Sequence, residues 1–254
     1  MIKAEYIVNS SVYIEMDSCR VLVDGIHGRN PHFTLPRKEI RKAVFGMNSR
    51  FRDVDYLIFT HRHTDHFDAA SIDEYVRNNK VKGVFSLPAS SDPNSYLEDR
   101  RQLSECEKQG LLHEVRFEHG DIEQFKLGSD AMVSYCKTAH LDSKFYQLPN
   151  SAVVLEAEGK KLFFAADTDH AESVKELLLG LGCLDCMFVT PLFLAHSSGR
   201  DIVNTAKPKQ VVIYHLPDEA DDATKLRELC EKVLKYEYVC PVKLFDKEGL
   251  TIEL

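Results

Sequence analysis

Val54-Asp55-Tyr56-Leu57-Ile58-Phe59-Thr60-His61-Arg62-His63-Thr64-Asp65-His66 is the stretch that decides the reading of this chain. Residues 54–59 form a nearly continuous apolar run, as expected of a strand buried on both faces. The His-rich segment follows at once, at the strand end, where loops leaving a sheet present ligands. His61 and His63 lie two apart, so in an extended segment both imidazoles point the same way, an arrangement suited to one metal ion. Asp65 and His66 can then turn toward a second ion. These residues do not complete two metal sites by themselves, so more ligands are expected downstream.

Working outward, three candidates stand at the ends of expected strands. His140 follows a strand at 131–137, Asp167 one at 162–165, and His215 one at 211–214. A single histidine in such a place is ordinarily structural, but strand-end clusters recurring along one chain are not. Upstream, a short strand at 21–23 ends at Asp24-Gly25. Further strands are expected at 12–16, 81–87, 114–117, 122–126, 152–156, 186–189, 242–245 and 250–254. The Glu158-Gly159-Lys160 turn should join 152–156 to 162–165 as a hairpin. Helices are expected at 37–45, 69–79 (with Asp68 as N-cap), 171–179, 201–206 and 221–234. Residues 92–110, polar with sparse apolar positions, read as an exposed helix. No linker or repeat divides the chain, so the expectation is one α/β domain spanning 1–254.

Composition narrows the function classes. The 254 residues are 44% hydrophobic and 28% charged, which excludes a disordered chain. Lys+Arg number 32 against 40 Asp+Glu, a net charge of -8 that argues against broad binding to nucleic acid or anionic membrane. Charges interrupt residues 1–18, so no signal peptide is expected, and no apolar run reaches the roughly 18 residues of a membrane span. Seven cysteines, an odd number at irregular spacing, predict free thiols and a cytoplasmic address. Cys183-x-x-Cys186 has no second pair to complete a zinc site and reads as inert.

Taken together, Asp24, His61/His63/Asp65/His66, His140, Asp167 and His215 resemble the ordered motifs of the metallo-β-lactamase-fold superfamily of metal-dependent hydrolases. The resemblance runs from about residue 5 to 217 and implies an αββα sandwich with a dinuclear site at one edge. It implies that His61, His63 and His140 hold one cation, that Asp65, His66 and His215 hold another, and that Asp167 bridges them. Asp24 would brace the His-rich loop from behind. Asp65 and Asp24 are therefore the candidate catalytic carboxylates. Within the superfamily, the chain is similar to the ascorbate-6-phosphate lactonase-like branch in its ending, Lys207-Pro208-Lys209 through His215. It departs at Ala166-Asp167-Thr168, where that branch has glycine before the aspartate.

The implied cofactors are two divalent cations, with zinc the expected metal and manganese or iron as alternatives. The implied reaction is attack by a metal-bridged hydroxide on an ester, lactone or related bond of a small molecule. A phosphodiesterase or nuclease is the alternative enzyme, and a non-catalytic metal-binding module is the alternative outside enzymes. Asp167 where some β-lactamases carry Cys, and His63 where oxygen-reducing di-iron relatives carry Glu, set those branches aside. Among the other histidines, His27, His170 and His196 are candidates for the substrate pocket. Arg62 is expected to be a solvated side chain and is a weak candidate for an anionic substrate.

Overall fold

A computed structural model describes the chain except residues 34–37, 47, 48, 50, 93–95, 220 and 221. Alternation builds the layers. Along Arg20–Val23 (β3), Val21 and Val23 join one apolar cluster while Leu22 joins another, and along Tyr56–Ile58 (β4) Leu57 likewise faces away from Tyr56 and Ile58. Each strand is thus apolar on both faces, which is why residues 54–59 show so little polar interruption.

β3 and β4 pair in parallel within a seven-stranded sheet. The other members are Lys3–Val8 (β1), Ser11–Glu15 (β2), Gly83–Ser86 (β5), Leu112–Glu114 (β6) and Thr251–Glu253 (β14), in the order β14-β1-β2-β3-β4-β5-β6. The second sheet holds Ile122–Leu127 (β7), Ala131–Thr138 (β8), Asn150–Ala157 (β9), Lys160–Phe164 (β10), Cys186–Val189 (β11), Val211–Ile213 (β12) and Val242–Leu244 (β13). Its order is β13-β12-β11-β10-β9-β8-β7. The expected β9–β10 hairpin forms, with Glu158 and Gly159 both at positive φ (53° and 70°), the backbone that a tight two-residue turn needs.

The central core lies between the sheets and unites Val21, Val23, Ile58 and Phe85 with Val133, Tyr135, Phe164 and Phe188. The outer face of the first sheet packs on Lys38–Phe45 (α1), Ala69–Asn78 (α2) and Ser104–Lys108 (α3) through residues such as Val44, Ile72, Tyr75 and Cys106. The outer face of the second packs on Glu172–Leu181 (α4), Pro191–Ala195 (α5), Ser197–Ala206 (α6) and Leu226–Val233 (α7). This is the αββα sandwich expected. Among the described residues, no helix is long and apolar enough to cross a membrane.

Several expectations need correction. Residues 92–110 are not one helix: among the described residues of that range only α3 is helical, and residues 96–103 run as an irregular segment against the His-rich loop. There Thr64 N donates to Leu97 O (2.9 Å) and Asp99 N donates to Arg62 O (2.9 Å), so the polar residues serve that loop's backbone. The strand expected at 114–117 lies earlier, at β6, while β1 and α5 were not anticipated. Residues 37, 93–95 and 221, within three expected helices, lie outside the described residues. Asp68 does cap α2, its Oδ1 accepting from Ser71 N at 2.8 Å.

Candidate metal centre

Every expected ligand stands just beyond the carboxyl end of a strand. β3 precedes Asp24, β4 precedes the His-rich loop, and β8, β10 and β12 precede His140, Asp167 and His215. β3 and β4 are parallel, as are β10, β11 and β12, and β8 runs with them because both it and β10 are antiparallel to β9. Their carboxyl ends therefore open on one edge, where α/β sheets usually hold ligands. Direct contacts stitch the two sheets together there. Ser151 N (3.2 Å) and Oγ (2.8 Å) donate to Thr60 O and His215 N donates to Asn9 O (2.9 Å), while on the first sheet's side Asn9 Nδ2 donates to Asp65 O (2.9 Å).

The side chains gather into two adjoining groups. His61, His63, His140 and Asp167 form one and Asp65, His66 and His215 the other, the candidate ligand atoms within each lying within 4.8 Å of one another. Asp167 touches both: its Oδ2 lies 3.2 Å from His140 Nε2, 3.6 Å from His61 Nε2 and 3.7 Å from His66 Nε2, and its Oδ1 lies 3.5 Å from His215 Nε2. Asp65 Oδ2 is 3.7 Å from His215 Nε2 and 3.8 Å from His66 Nε2.

The donor chemistry fits cations. Nε2 of His61, His63 and His140 are buried without a hydrogen-bond partner, an expensive arrangement for a polar atom unless another group meets it. Asp24 explains how two rings are set. Its Oδ2 accepts from Thr60 Oγ1 (2.8 Å) and His66 Nδ1 (2.9 Å), and its Oδ1 accepts from Thr60 N (2.9 Å). Because the Thr60 hydroxyl proton is given to Asp24, Thr60 Oγ1 accepts from His61 Nδ1 at 3.1 Å, leaving His61 Nε2 bare for a metal. His140 is set differently: Asp142 N donates to its Nδ1 at 3.0 Å, which fixes the ring with Nε2 toward the cluster, and a cation held there would require Nε2 without its proton.

Electrostatics follow burial and neighbours. Burial, reinforced by nearby imidazoles, holds His61 well below the usual histidine range and pushes His63 down to about 3. Burial also lowers His215. For His66 burial is outweighed by Asp24 and Asp65, which hold it well above the usual range; its Nε2 lies 2.9 Å from His215 Nε2. Burial pushes Asp167 upward, but His215, His140 and His66 prevail and hold its carboxyl well below the ordinary range.

These shifts predict the pH response of the metal-free protein. His27, buried and pushed down to about 4, is neutral in the fold but protonated in the unfolded chain between its folded and ordinary values. The unfolded state then binds more protons, so stability falls as pH drops from about 7 to 5, with His27 contributing up to about 3 kcal/mol by pH 4. His61, His63 and His215 act in the same direction, and His66, held charged in the fold, opposes them as the single group of the cluster shifted upward. Melting temperature across that range checks this; a flat or rising profile toward acid would contradict it.

A cavity of about 580 Å³ opens on the cluster, sharing His140, Asp167 and His215 with it. His170 and His196 line the same cavity, their rings 4.1 Å apart, with Ser198 Oγ 2.8 Å from His170 Nδ1. His27 does not line it: the ring is buried, with Nδ1 turned to Gly28 O at 3.2 Å. Arg62 is not solvated either. It is 7% exposed, stacked 4.4 Å over the Phe67 ring, its Nη2 donating to Arg101 O.

Sequence reasoning missed Asn9, Asn30 and Thr60. Asn30 Nδ2 donates to Asp65 Oδ1 at 2.9 Å and orients that carboxylate, but neutral side chains in loops give no spacing signal. Ala166 adopts φ +46°, a left-handed backbone that costs a non-glycine residue about 1–2 kcal/mol. The glycine of the resembled branch would take it freely, so the departure at Ala166 changes the energy of this turn while keeping its shape.

Residues 20–215 match the family model described as the beta-lactamase superfamily domain, a span running from β3 through the last ligand candidate. The chain belongs to the metallo-β-lactamase-fold superfamily. Solved structures agree on the fold. Igni18, a metallo hydrolase from Ignicoccus hospitalis, superposes with a TM-score of 0.64 at 15% identity over 100% of this chain and 99% of its own. YhfI from Bacillus subtilis, a metallo-beta-lactamase fold protein, gives 0.63 at 14% identity over 100% of both chains. CmlA, a diiron beta-hydroxylase from Streptomyces venezuelae, gives 0.65 at 16% identity over 100% of this chain and 54% of its own, so this member of the superfamily spans about half of CmlA. No curated protein matches the chain in sequence.

Proposed function

We propose that this protein is a dinuclear metal-dependent hydrolase that cleaves an ester, lactone or related bond of a small metabolite. The observation that carries the reading is Asp167, placed between the two ligand groups with an oxygen toward each. His61, His63 and His140 would hold one cation, Asp65, His66 and His215 the other, and Asp167 both. When bound, the cations supply Lewis acidity and lower the pKa of water from 15.7 to about 7 in favourable cases. Imidazole and carboxylate donors suit zinc, with manganese or iron as alternatives.

The chain's own residues do the rest. Asp24 holds the Nδ1 proton of His66 and fixes the ring, and Asn30 holds Asp65. The cavity suits a small metabolite in size. Phe33, Leu141, Tyr146 and Leu192 give it an apolar wall, and His170 and His196 offer polar contacts for orienting the substrate. The narrower likeness to the ascorbate-6-phosphate lactonase-like branch supports lactones among the bonds. Seven free cysteines support a reducing, cytoplasmic address, and the pairing of β1 with β14 supports one domain over the chain.

Metal content by mass spectrometry and turnover of ester, lactone, thioester, β-lactam and phosphodiester probes test the reading. Close to two cations per chain with turnover of a carboxylic ester or lactone is expected. Turnover of phosphodiesters alone would replace it with the phosphodiesterase reading. Saturation at one cation would overturn the dinuclear site.

A further inference from the structure

The cavity over the ligand cluster keeps large apolar side chains in the open. Phe33 sets its ring edge-on to His215, 4.4 Å between centroids, and lines the cavity. On the His140 side, Phe145 is buried against the rings of His63 (4.5 Å) and His140 (5.3 Å). That leaves the next residue, Tyr146, 54% exposed at the cavity wall. In α5, Phe193 and Leu194 are buried in the core under the second sheet, so Leu192 is turned outward, 41% exposed over the same cavity. Holding such groups in water costs free energy that an apolar ligand recovers on covering them.

Polar lining residues are engaged within the chain. Thr190 Oγ1 accepts from Phe193 N (3.1 Å), Asp142 Oδ1 accepts from Lys144 N (3.0 Å), and His170 Nδ1 lies 2.8 Å from Ser198 Oγ. Among the described residues that line the cavity there is no lysine or arginine. Outside the ligand set the lining carries one carboxylate, Asp142, which repels an anion. A substrate tail bearing phosphate or carboxylate therefore meets no Lys or Arg partner on this wall, whereas an uncharged apolar body meets no opposition.

We infer that the substrate of this site is an ester or lactone with an uncharged apolar body, a medium-length acyl chain or an aryl ring, seated among Phe33, Leu141, Tyr146 and Leu192. The inference rests on the hydrolase reading and narrows it. The same cavity that seats the body shares His140, Asp167 and His215 with the ligand cluster, so a chain lying on the apolar wall leads directly to the reacting bond. Its volume, about 580 Å³, admits such a body together with the ester group.

Calorimetric titration of the metal-loaded protein with acetate, butyrate and octanoate, carboxylates of the kind such hydrolysis releases, tests the inference without turnover. Suberate and gluconate serve as bodies that end in a charge or carry hydroxyls. Affinity should rise about twofold per methylene, below the roughly fourfold of full burial because the wall is half open. Octanoate should bind about tenfold tighter than suberate or gluconate. Leu192→Ser and Tyr146→Ser, both at exposed side chains, should each weaken octanoate about threefold or more and leave acetate unchanged. A flat series, suberate or gluconate matching octanoate, variants that weaken acetate and octanoate alike, or no binding of any carboxylate would each overturn the inference. Ester turnover with a flat series would sink this inference alone. Chain-length-dependent binding with no turnover of any ester would sink the hydrolase reading and leave the apolar subsite standing.

Discussion

His63→Ala is expected to lower hydrolysis by on the order of a thousandfold, about 4 kcal/mol of transition-state stabilisation, while the metal-free fold melts close to wild type. The separation of the two effects is the informative part. His63 Nε2 is buried with no hydrogen-bond partner, and burial pushes the ring down to about 3, so removing it costs the metal-free protein no polar contact at that atom. What is lost is edge-on packing against the rings of Phe145 (4.5 Å), His140 (4.7 Å) and His61 (4.8 Å). Asp167→Ala should abolish turnover as completely, but less cleanly. That carboxylate also offsets positive charge on His66, so its loss disturbs the metal-free cluster as well. Metal content and melting temperature of both variants, with turnover of the best probe, decide the matter. Full activity in either would sink the mechanism.

Asp24→Ala should damage both stability and metal retention. The carboxylate is wholly buried and accepts from Thr60 N, Thr60 Oγ1 and His66 Nδ1. Deleting it strands three buried donors, one on a histidine held charged in the metal-free protein, at a cost of about 3–5 kcal/mol. For a chain of this size that is a fall in melting temperature of roughly 10 °C. Metal affinity should drop about 10–100-fold, because His66 loses the partner that fixes its ring and tautomer. Asp24→Asn keeps the volume but points either an amide NH₂ or a single acceptor at these donors, so it should fall between. A loss below about 1 kcal/mol in Asp24→Ala would show that Asp24 is only a turn residue.

The residues that announced themselves in the sequence are those whose chemistry requires a side chain of one type at one spacing. His61-x-His63 and the strand-end residues His140, Asp167 and His215 are ionisable groups beside apolar runs, so both the donor and its position were visible. The helices that cover the sheets were visible for a similar reason, as with the Asp68 cap ahead of α2. β1 was not, since Lys3 and Glu5 interrupt its apolar pattern, yet Glu5 is buried. The segment after residue 95 misled because its polar side chains resemble an exposed helical face. Instead Asp99 accepts from Ala69 N at 2.8 Å and Glu98 from Ser90 N at 2.7 Å, partners 30 and 8 residues back that no helical periodicity encodes. Asn9 and Asn30 were hidden by the same fact: what they hold lies dozens of residues away.

The edge where the sheets meet has a thermodynamic consequence. His66 and His215 stand 149 residues apart in sequence and leave different sheets, as do His63 and His140. A cation held between them is a clasp across the sandwich, present only in the folded state. Stability of the metal-loaded protein should therefore track the chemical potential of the free ion, rising about 1.4 kcal/mol for every tenfold increase beyond the dissociation constant of each proposed site. With the proposed cations bound, resistance to heat would be a property shared between the sequence and the solution around it, and a chelator should act on this fold as a mild denaturant.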